Sequence, residues 1–304
     1  MTPKSKQKAP PSAVENPAGG PPADPGLWLV ATPIGNARDI TLRALDALKW
    51  ADTIACEDTR VTKKLLAIHG IAAKSLVSYR DHNAEQAGPE ILETLAMGGS
   101  VALVSDAGSP MINDPGYRLA SKALAAGHAV TGIPGPSAVL VGLQLSGLAT
   151  DRFHYFGFPP QKSAARQALF REISDLTGTL VFLENPKRLA ACLRDLIATL
   201  RDRPAAVARE LTKVFEDVRR DSLSALSAHY TEAGPPKGEA TLIVGGAETG
   251  TLETIAETDI DDRLEDLLKT MRMRDAVDAV TAESGLSRRT VYRRALAVRD
   301  ARGS

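Results

Sequence analysis

Three carboxylates in two short segments are the residues best suited to proton chemistry. Glu57 and Asp58 stand in Cys56-Glu57-Asp58-Thr59-Arg60, and Asp106 stands in Ser105-Asp106-Ala107-Gly108-Ser109-Pro110. Each segment follows an apolar run of β type and precedes a helical pattern. A carboxylate there can take up a proton or accept from an amine or a ribose hydroxyl. Two other groups are of the right type: Glu210 in Ala208-Arg209-Glu210-Leu211-Thr212-Lys213, and His82 beside Asn83, just after Tyr79-Arg80-Asp81. The residues alone do not choose a general base among Asp106, Glu57, Asp58, Glu210 and His82. The clusters at 57–60 and 208–213 mix acids with bases, so they read equally as substrate contacts or as ion pairs at an edge.

Three glycine and proline segments have the same strand-to-helix placement. They are Thr32-Pro33-Ile34-Gly35-Asn36, Ser105 to Pro110, and Pro134-Gly135-Pro136-Ser137-Ala138. Glycine lets backbone approach a ligand, and proline stiffens the turn. Ser137 is placed to cap the next helix, whose free N–H groups and positive dipole end suit a carboxylate. Gly238-Glu239 precedes a late strand and reads either as a hairpin turn or as a cofactor contact. No Gly-x-Gly-x-x-Gly fingerprint and no Walker loop is present, which argues against a standard dinucleotide or P-loop site. No group of His, Cys and carboxylates has metal-ligand spacing.

The elements that must position these loops alternate. From 27 to 147 the pattern predicts strands at 27–31, 53–56, 75–79, 101–104 and 129–133, with helices at 41–49, 60–68, 85–97, 117–126 and 137–146. Such alternation gives a mostly parallel sheet of roughly five strands with helices on both faces. In an open α/β sheet, ligands bind in the crevice at the carboxyl ends of the strands, so the three loops are expected to build one site. Near Asp151 the character changes. The aromatic stretch 153–158 leads to Pro159-Pro160, then to helices at 164–175, 188–200 and 223–229 and strands at 179–183, 205–209 and 240–244. The segment 214–219 alternates apolar with charged residues, the antiparallel signature. A second α/β domain with a mixed sheet is expected.

The domains therefore read as a disordered extension at 1–26, α/β domains at 27–150 and 151–247, a linker at 248–260 and a helical module at 261–304. The module has helices at 261–271, 274–284 and 287–299. Ser284-Gly285-Leu286-Ser287 separates the last two, with Ser287 as N-cap, which is a helix-turn-helix pattern. Its last helix concentrates Arg288, Arg289, Arg293, Arg294, Arg299 and Arg302 against one acid, Asp300. Across all 304 residues, 37 basic and 37 acidic side chains cancel, which excludes coating nucleic acid by bulk charge but not a local basic patch. Cys56 and Cys192 are the two cysteines and read as buried thiols, so a reducing, cytoplasmic compartment is expected. No apolar run is long enough to span a bilayer.

Several segments together resemble one branch of the tetrapyrrole methylase superfamily. They are Leu29-Val30-Ala31-Thr32-Pro33-Ile34-Gly35-Asn36 with Asp39-Ile40-Thr41-Leu42-Arg43-Ala44, then Cys56 to Arg60, Ser105 to Pro110 with Asp114-Pro115-Gly116-Tyr117, Pro134 to Ala138, Ala208 to Lys213, and Lys237-Gly238-Glu239. They fall in the branch's order over about 27–246, with a weaker likeness in the C-terminal helices. The tetrapyrrole-modifying relatives usually carry a Gly-Ala-Gly-Pro-Gly-Asp-like first loop. Thr-Pro-Ile-Gly-Asn here points instead to the branch that 2′-O-methylates a cytidine in the decoding centre of 16S rRNA. Glu184-Asn185-Pro186-Lys187-Arg188 departs from it, with Asn and Lys where the branch more often has Ser and His.

The resemblance implies the class III methyltransferase fold: two α/β domains, a helix-turn-helix-like module and S-adenosylmethionine folded in the interdomain cleft. It implies cofactor contacts from Pro33, Gly35, Ser105, Asp106, Ala107, Gly108, Ser109, Pro110, Pro134, Gly135, Ser137, Ala138 and Gly238. A catalytic base would come from Asp106, Glu57 or Asp58. RNA contacts would come from Arg60, His82, Arg209, Lys213, Arg288, Arg289, Arg293 and Arg294. The partner would be 16S rRNA in the small ribosomal subunit, and the protein a cytoplasmic homodimer. Two other readings are a methylase of a tetrapyrrole or other small molecule, and a DNA-binding regulator supported by the C-terminal pattern alone.

Overall fold

Residues 24–247, 257–284 and 288–302 are described by the computed structural model. The apolar runs of the first half become five parallel strands: β1 (Leu27–Val30), β2 (Thr53–Cys56), β3 (Leu76–Ser78), β4 (Val101–Val104) and β5 (Val130–Ile133), in the order β3-β2-β4-β1-β5. β2 and β4 are buried at every position, as strands covered on both faces must be. The helices between them are α1 (Leu42–Trp50), α2 (Thr59–Ile68), α3 (Ala84–Ala96), α4 (Tyr117–Ala125) and α5 (Ala138–Ser146). Thr41 caps α1 by accepting from the Ala44 N–H at 3.2 Å, and Asp58 caps α2 by accepting from the Arg60 N–H at 2.8 Å. The register decides where the loops emerge. Val30 pairs with Val104 and Ile133, and Cys56 with Val104, so four strands end level at one edge.

The second sheet is mixed, in the order β6-β7-β10-β8-β9. Its strands are β6 (Phe153–Tyr155), β7 (Thr179–Glu184), β8 (Pro204–Arg209), β9 (Asp217–Ser222) and β10 (Ala240–Val244). β6 runs parallel to β7, and the other pairs are antiparallel. α6 (Ser163–Glu172), α7 (Leu189–Leu200) and α8 (Leu223–Glu232) complete this half, with Phe170, Leu193 and Leu226 in its main core. Phe182 stacks on Phe156 at 5.4 Å and meets Phe170 edge-on at 5.5 Å. Arg166 and Asp195 form a buried ion pair, and the same carboxylate accepts from Ser163 Oγ at 2.9 Å.

α5 is almost wholly apolar (Ala-Val-Leu-Val-Gly-Leu-Gln-Leu-Ser); Val139, Gly142, Leu143 and Ser146 are buried, while Leu140 is exposed. It follows β5 in the chain, yet its Val139 and Leu143 pack with Val181, Ala206 and Ile243 of the second sheet. Gly142 makes this approach possible, because a Cβ there would stand 2.9 Å from Thr241 Cγ2. Ile34 from the first glycine loop joins the same cluster. The helix expected to belong with 27–150 is thus built into the other half.

Several boundaries differ from expectation; the helix placed at 223–229, for one, runs on to Glu232. The strand placed at 214–219 begins at Asp217, because Glu210 and Thr212 take positive φ and turn the chain first. The helix placed at 164–175 ends at Glu172. The linker placed at 248–260 is helical from Glu257, where α9 (Glu257–Thr270) begins. α10 (Met273–Ser284) and α11 (Arg288–Arg302) follow. These three helices share a core of Ile260, Leu264, Val277, Val280, Val291 and Ala295. Residues 1–23, 248–256 and 285–287, including the Ser287 cap, lie outside the described residues, as does the side chain of Arg289. No described helix is long and apolar enough to cross a membrane.

Candidate active site

The three glycine loops meet at the level edge of the first sheet. The Thr32 N–H donates to the Gly108 carbonyl at 2.9 Å, and the Gly108 N–H donates back to the Thr32 carbonyl at 3.0 Å. Thr32 Oγ1 donates to the Ser105 carbonyl at 3.1 Å. Gly108 has φ +77°, and a Cβ there would lie 3.6 Å from Ile34 and 3.9 Å from the Pro136 carbonyl. Gly135 packs so closely on the end of β1 that a Cβ would stand 2.9 Å from that of Ala31. Backbone from 32–36, 105–110 and 134–138 is therefore joined at one place.

Beside that junction lies a cavity of about 470 Å³ between the two sheets. Such a volume suits a small-molecule ligand. Glu57, Asp106, Ala107, Gly108, Ser109 and Asp114 line it from the first sheet's edge, and Ser137, Ala138 and Val139 from the start of α5. The opposite wall brings Tyr155, Phe158, Leu183, Glu184, Asn185, Gly238, Glu239 and Thr241. Ser137 does occupy the N-cap position, but its hydroxyl makes no capping hydrogen bond, contrary to expectation. Gly238 has φ +88°, and a Cβ on it would overlap the Glu210 carboxylate.

Two carboxylates of the cavity, Asp114 and Glu57, have altered titration. Burial pushes Asp114 up to about 6; a Ser105 hydrogen bond opposes this, and the charges of Glu57 and Asp106 add to it. Burial raises Glu57 as well, with Asp106 contributing. Tyr155 is pushed up to about 12, first by burial and then by the Asp114 charge. Its buried hydroxyl has no hydrogen-bond partner, so a ligand in the cavity would meet an unsatisfied donor. Asp58 differs: hydrogen bonds from Arg60 hold it well below the usual carboxylate range.

Of the residues singled out in the sequence, Asp106, Ala107, Gly108, Ser109, Ser137, Ala138, Gly238 and Glu57 share this cavity. Pro33, Gly35 and Ser105 face a smaller groove of about 170 Å³, which runs between the first loop and α2 past Val61, Lys64, Leu65 and Ile68. Asp106 lines both spaces. Its Oδ1 accepts from the Asp58 N–H at 2.9 Å, which ties the 57–60 segment to the second glycine loop. Pro110, Pro134 and Gly135 line neither space. Pro110 is buried, and the Pro134 carbonyl accepts from Thr41 Oγ1 at 3.3 Å. The Asp58 carboxylate, paired with Arg60 at 2.6 Å, also stays outside the large cavity.

The cationic residues are dispersed. Arg60 is exposed at the start of α2, and His82 is exposed on a short 3-10 turn that lines neither space. Arg209 pairs with Asp217 at 3.2 Å, and Lys213 with Glu210 at 2.9 Å. In the helical module Arg288 pairs with Asp278 at 2.7 Å and Arg294 with Asp261 at 2.9 Å, while Arg293 is exposed. The acids that offset α11 thus come from α9 and α10. Sequence reasoning missed Asp114, Tyr155, Phe158 and Glu184 as cavity residues. The available signals were the carboxylate just beyond the second loop and the aromatic run ending at Pro159-Pro160.

A parallel sheet with its loops facing a mixed sheet across a cavity is the class III methyltransferase fold. The structure of a cobalt precorrin-4 methyltransferase superposes with TM-score 0.54 at 17% identity, over 72% of this chain and 94% of that one. A diphthine synthase does so with TM-score 0.54 at 19% identity, over 72% and 89%. The chain belongs to the family of tetrapyrrole (corrin/porphyrin) methylases, which it matches over residues 26–227. Residues 254–299 match the RsmI C-terminal HTH domain. Among curated relatives, the ribosomal RNA small subunit methyltransferase I of Mesorhizobium japonicum is 45% identical over 283 residues, 93% of this chain and 95% of that one. The protein of that name from Halalkalibacterium halodurans is 41% identical over 270 residues, 88% and 93%.

Proposed function

We propose that the protein methylates the ribose 2′-oxygen of a cytidine in the decoding centre of 16S rRNA, with S-adenosylmethionine as donor. The observation that carries this reading is the single cavity shared by Gly108, Ser137 and Gly238, in a chain whose full-length relatives are ribosomal RNA methyltransferases by name. The lining fits such a donor. Ile34, Val139 and Leu183 offer apolar contact, Glu57, Asp106 and Asp114 offset positive charge, and the Tyr155 hydroxyl is free to donate. When bound, S-adenosylmethionine supplies an electrophilic methyl group.

The chain's own residues do the rest. Ala107, Gly108 and Ser137 hold the donor through backbone and hydroxyl contacts. The Thr32–Gly108 bridge fixes the loops, and holding reactants in line is worth about 7–11 kcal/mol of barrier. Asp58 is unsuited to act as base, because Arg60 keeps its carboxylate engaged outside the cavity. Glu57 and Asp114 line the cavity, and burial has raised both, so they hold the departing 2′-proton, with Asp106 beside them. Arg60, Arg209, Lys213 and the arginines of α11 meet RNA phosphates, with His82 at the periphery. The protein works on small ribosomal subunits in the cytoplasm, as a homodimer.

Labelled S-adenosylmethionine and small subunits lacking the modification provide the test, with the methylated nucleotide mapped afterwards. Label on one cytidine 2′-oxygen is the expected result. Label confined to a tetrapyrrole or other small molecule, with none on rRNA, would overturn the reading.

A further inference from the structure

The turn joining β8 to β9 holds two apolar side chains out in solvent: Val214 is 93% exposed and Phe215 78%. The turn itself is braced. Thr212 N–H donates to Glu216 Oε2 at 2.7 Å, Lys213 N–H donates to the Glu210 carbonyl at 3.0 Å, and Lys213 Nζ donates to Glu210 Oε1 at 2.9 Å. Both of its ends are anchored at the site. Glu210 Oε1 accepts from the N–H of Glu239, a residue of the large cavity, at 3.1 Å. Thr212 Oγ1 accepts from the Asn36 N–H at 3.0 Å, and the Lys213 stem lies against Gly35, a residue of the smaller groove. The apolar tip thus stands on the rim between two concave spaces that meet at Asp106. Lys64 in the groove wall forms no ion pair among the described residues, which leaves positive charge in the groove. An exposed aromatic on a braced turn, tied to a groove that carries positive charge, suits unpaired nucleotides, whose bases stack on aromatic side chains.

We propose that Phe215, backed by Val214, is a stacking platform for an unpaired RNA base that flanks the nucleotide entering the groove. This rests on the RNA-methylating reading above and adds the element that grips the strand. It is tested with the full chain and its Phe215→Ala and Phe215→Trp variants, using small subunits lacking the modification. Loss of one base stack should weaken subunit binding by Phe215→Ala about 5- to 150-fold. S-adenosylhomocysteine affinity and the unfolding midpoint should stay at wild-type values. Phe215→Trp should restore binding, and its added tryptophan emission should be quenched by the RNA. Unchanged subunit affinity in Phe215→Ala overturns the platform while leaving the function intact. A shift of Phe215→Ala to a smaller oligomer also overturns it, because the tip would then be a contact between copies. A wild-type protein that neither binds nor methylates subunits removes the function reading itself.

Discussion

Asp114 is held in the folded protein at a pKa of about 6, against an ordinary value of 3.8. Between those values the folded state keeps a proton that the unfolded state has lost. The stability this carboxyl contributes is therefore full below about pH 4 and is lost as pH rises through about 6. Asp114→Asn should raise the thermal midpoint at pH 7 and leave it unchanged at pH 4, as calorimetry at the two values would record. The same substitution should slow methylation by about 10²-fold or more and remove a rate limb that climbs through pH 6 in the wild type. A variant with the wild-type pH profile would exclude Asp114 as the proton acceptor. In the sequence this residue stands out only within Asp114-Pro115-Gly116-Tyr117, one of the segments that carry the family resemblance. Its burial depends on Tyr155 and on the edge of the other sheet, which no local pattern can report. Asp106 and Gly108 were legible because strand, carboxylate and glycine are contiguous in the chain.

Among the connecting elements, Gly157 has a specific task. It has φ +63°, and a Cβ there would stand 2.2 Å from Asn113 Nδ2, on a loop that lines the cavity. That loop also holds Met111 and Asn113 at positive φ, so it has little room to yield. Gly157→Ala should cost about 1–2 kcal/mol from the left-handed backbone alone. It should also weaken S-adenosylhomocysteine binding, with denaturant unfolding and titration calorimetry as the two readouts. Intact cofactor affinity in this variant would show that the 111–114 loop does not shape the pocket. The strands that frame this region were readable for a simple reason: residues buried on both faces, such as Val101 to Val104, form unbroken apolar runs. β9 was misplaced because the apolar pair Val214 and Phe215 reads as strand material while it stands in an exposed turn.

For the whole molecule, the C-terminal helices carry their own core, built from Ile260, Leu264, Val277, Val280, Val291 and Ala295. A chain ending at residue 247 should keep S-adenosylhomocysteine affinity and the unfolding midpoint of the two-sheet body. It should lose part of the salt dependence of subunit binding, since Arg288, Arg293 and Arg294 go with the module. Loss of cofactor binding on truncation would show that the module completes the pocket. The division into two sheets and a helical tail was visible in the sequence, but the allegiance of α5 was not, because chain order places it after β5. That allegiance ties the two lobes together. Ile34 is embedded with Val139, Leu143, Val181 and Ile243, and swinging the lobes apart would strip it from them at about 1.5–3 kcal/mol. That cost makes opening of the lobes rare, and on the proposed function RNA at the mouth of the cavity would cover the spent cofactor. Methylated RNA should therefore depart first, and product-inhibition kinetics showing random release would contradict such a sequence of events.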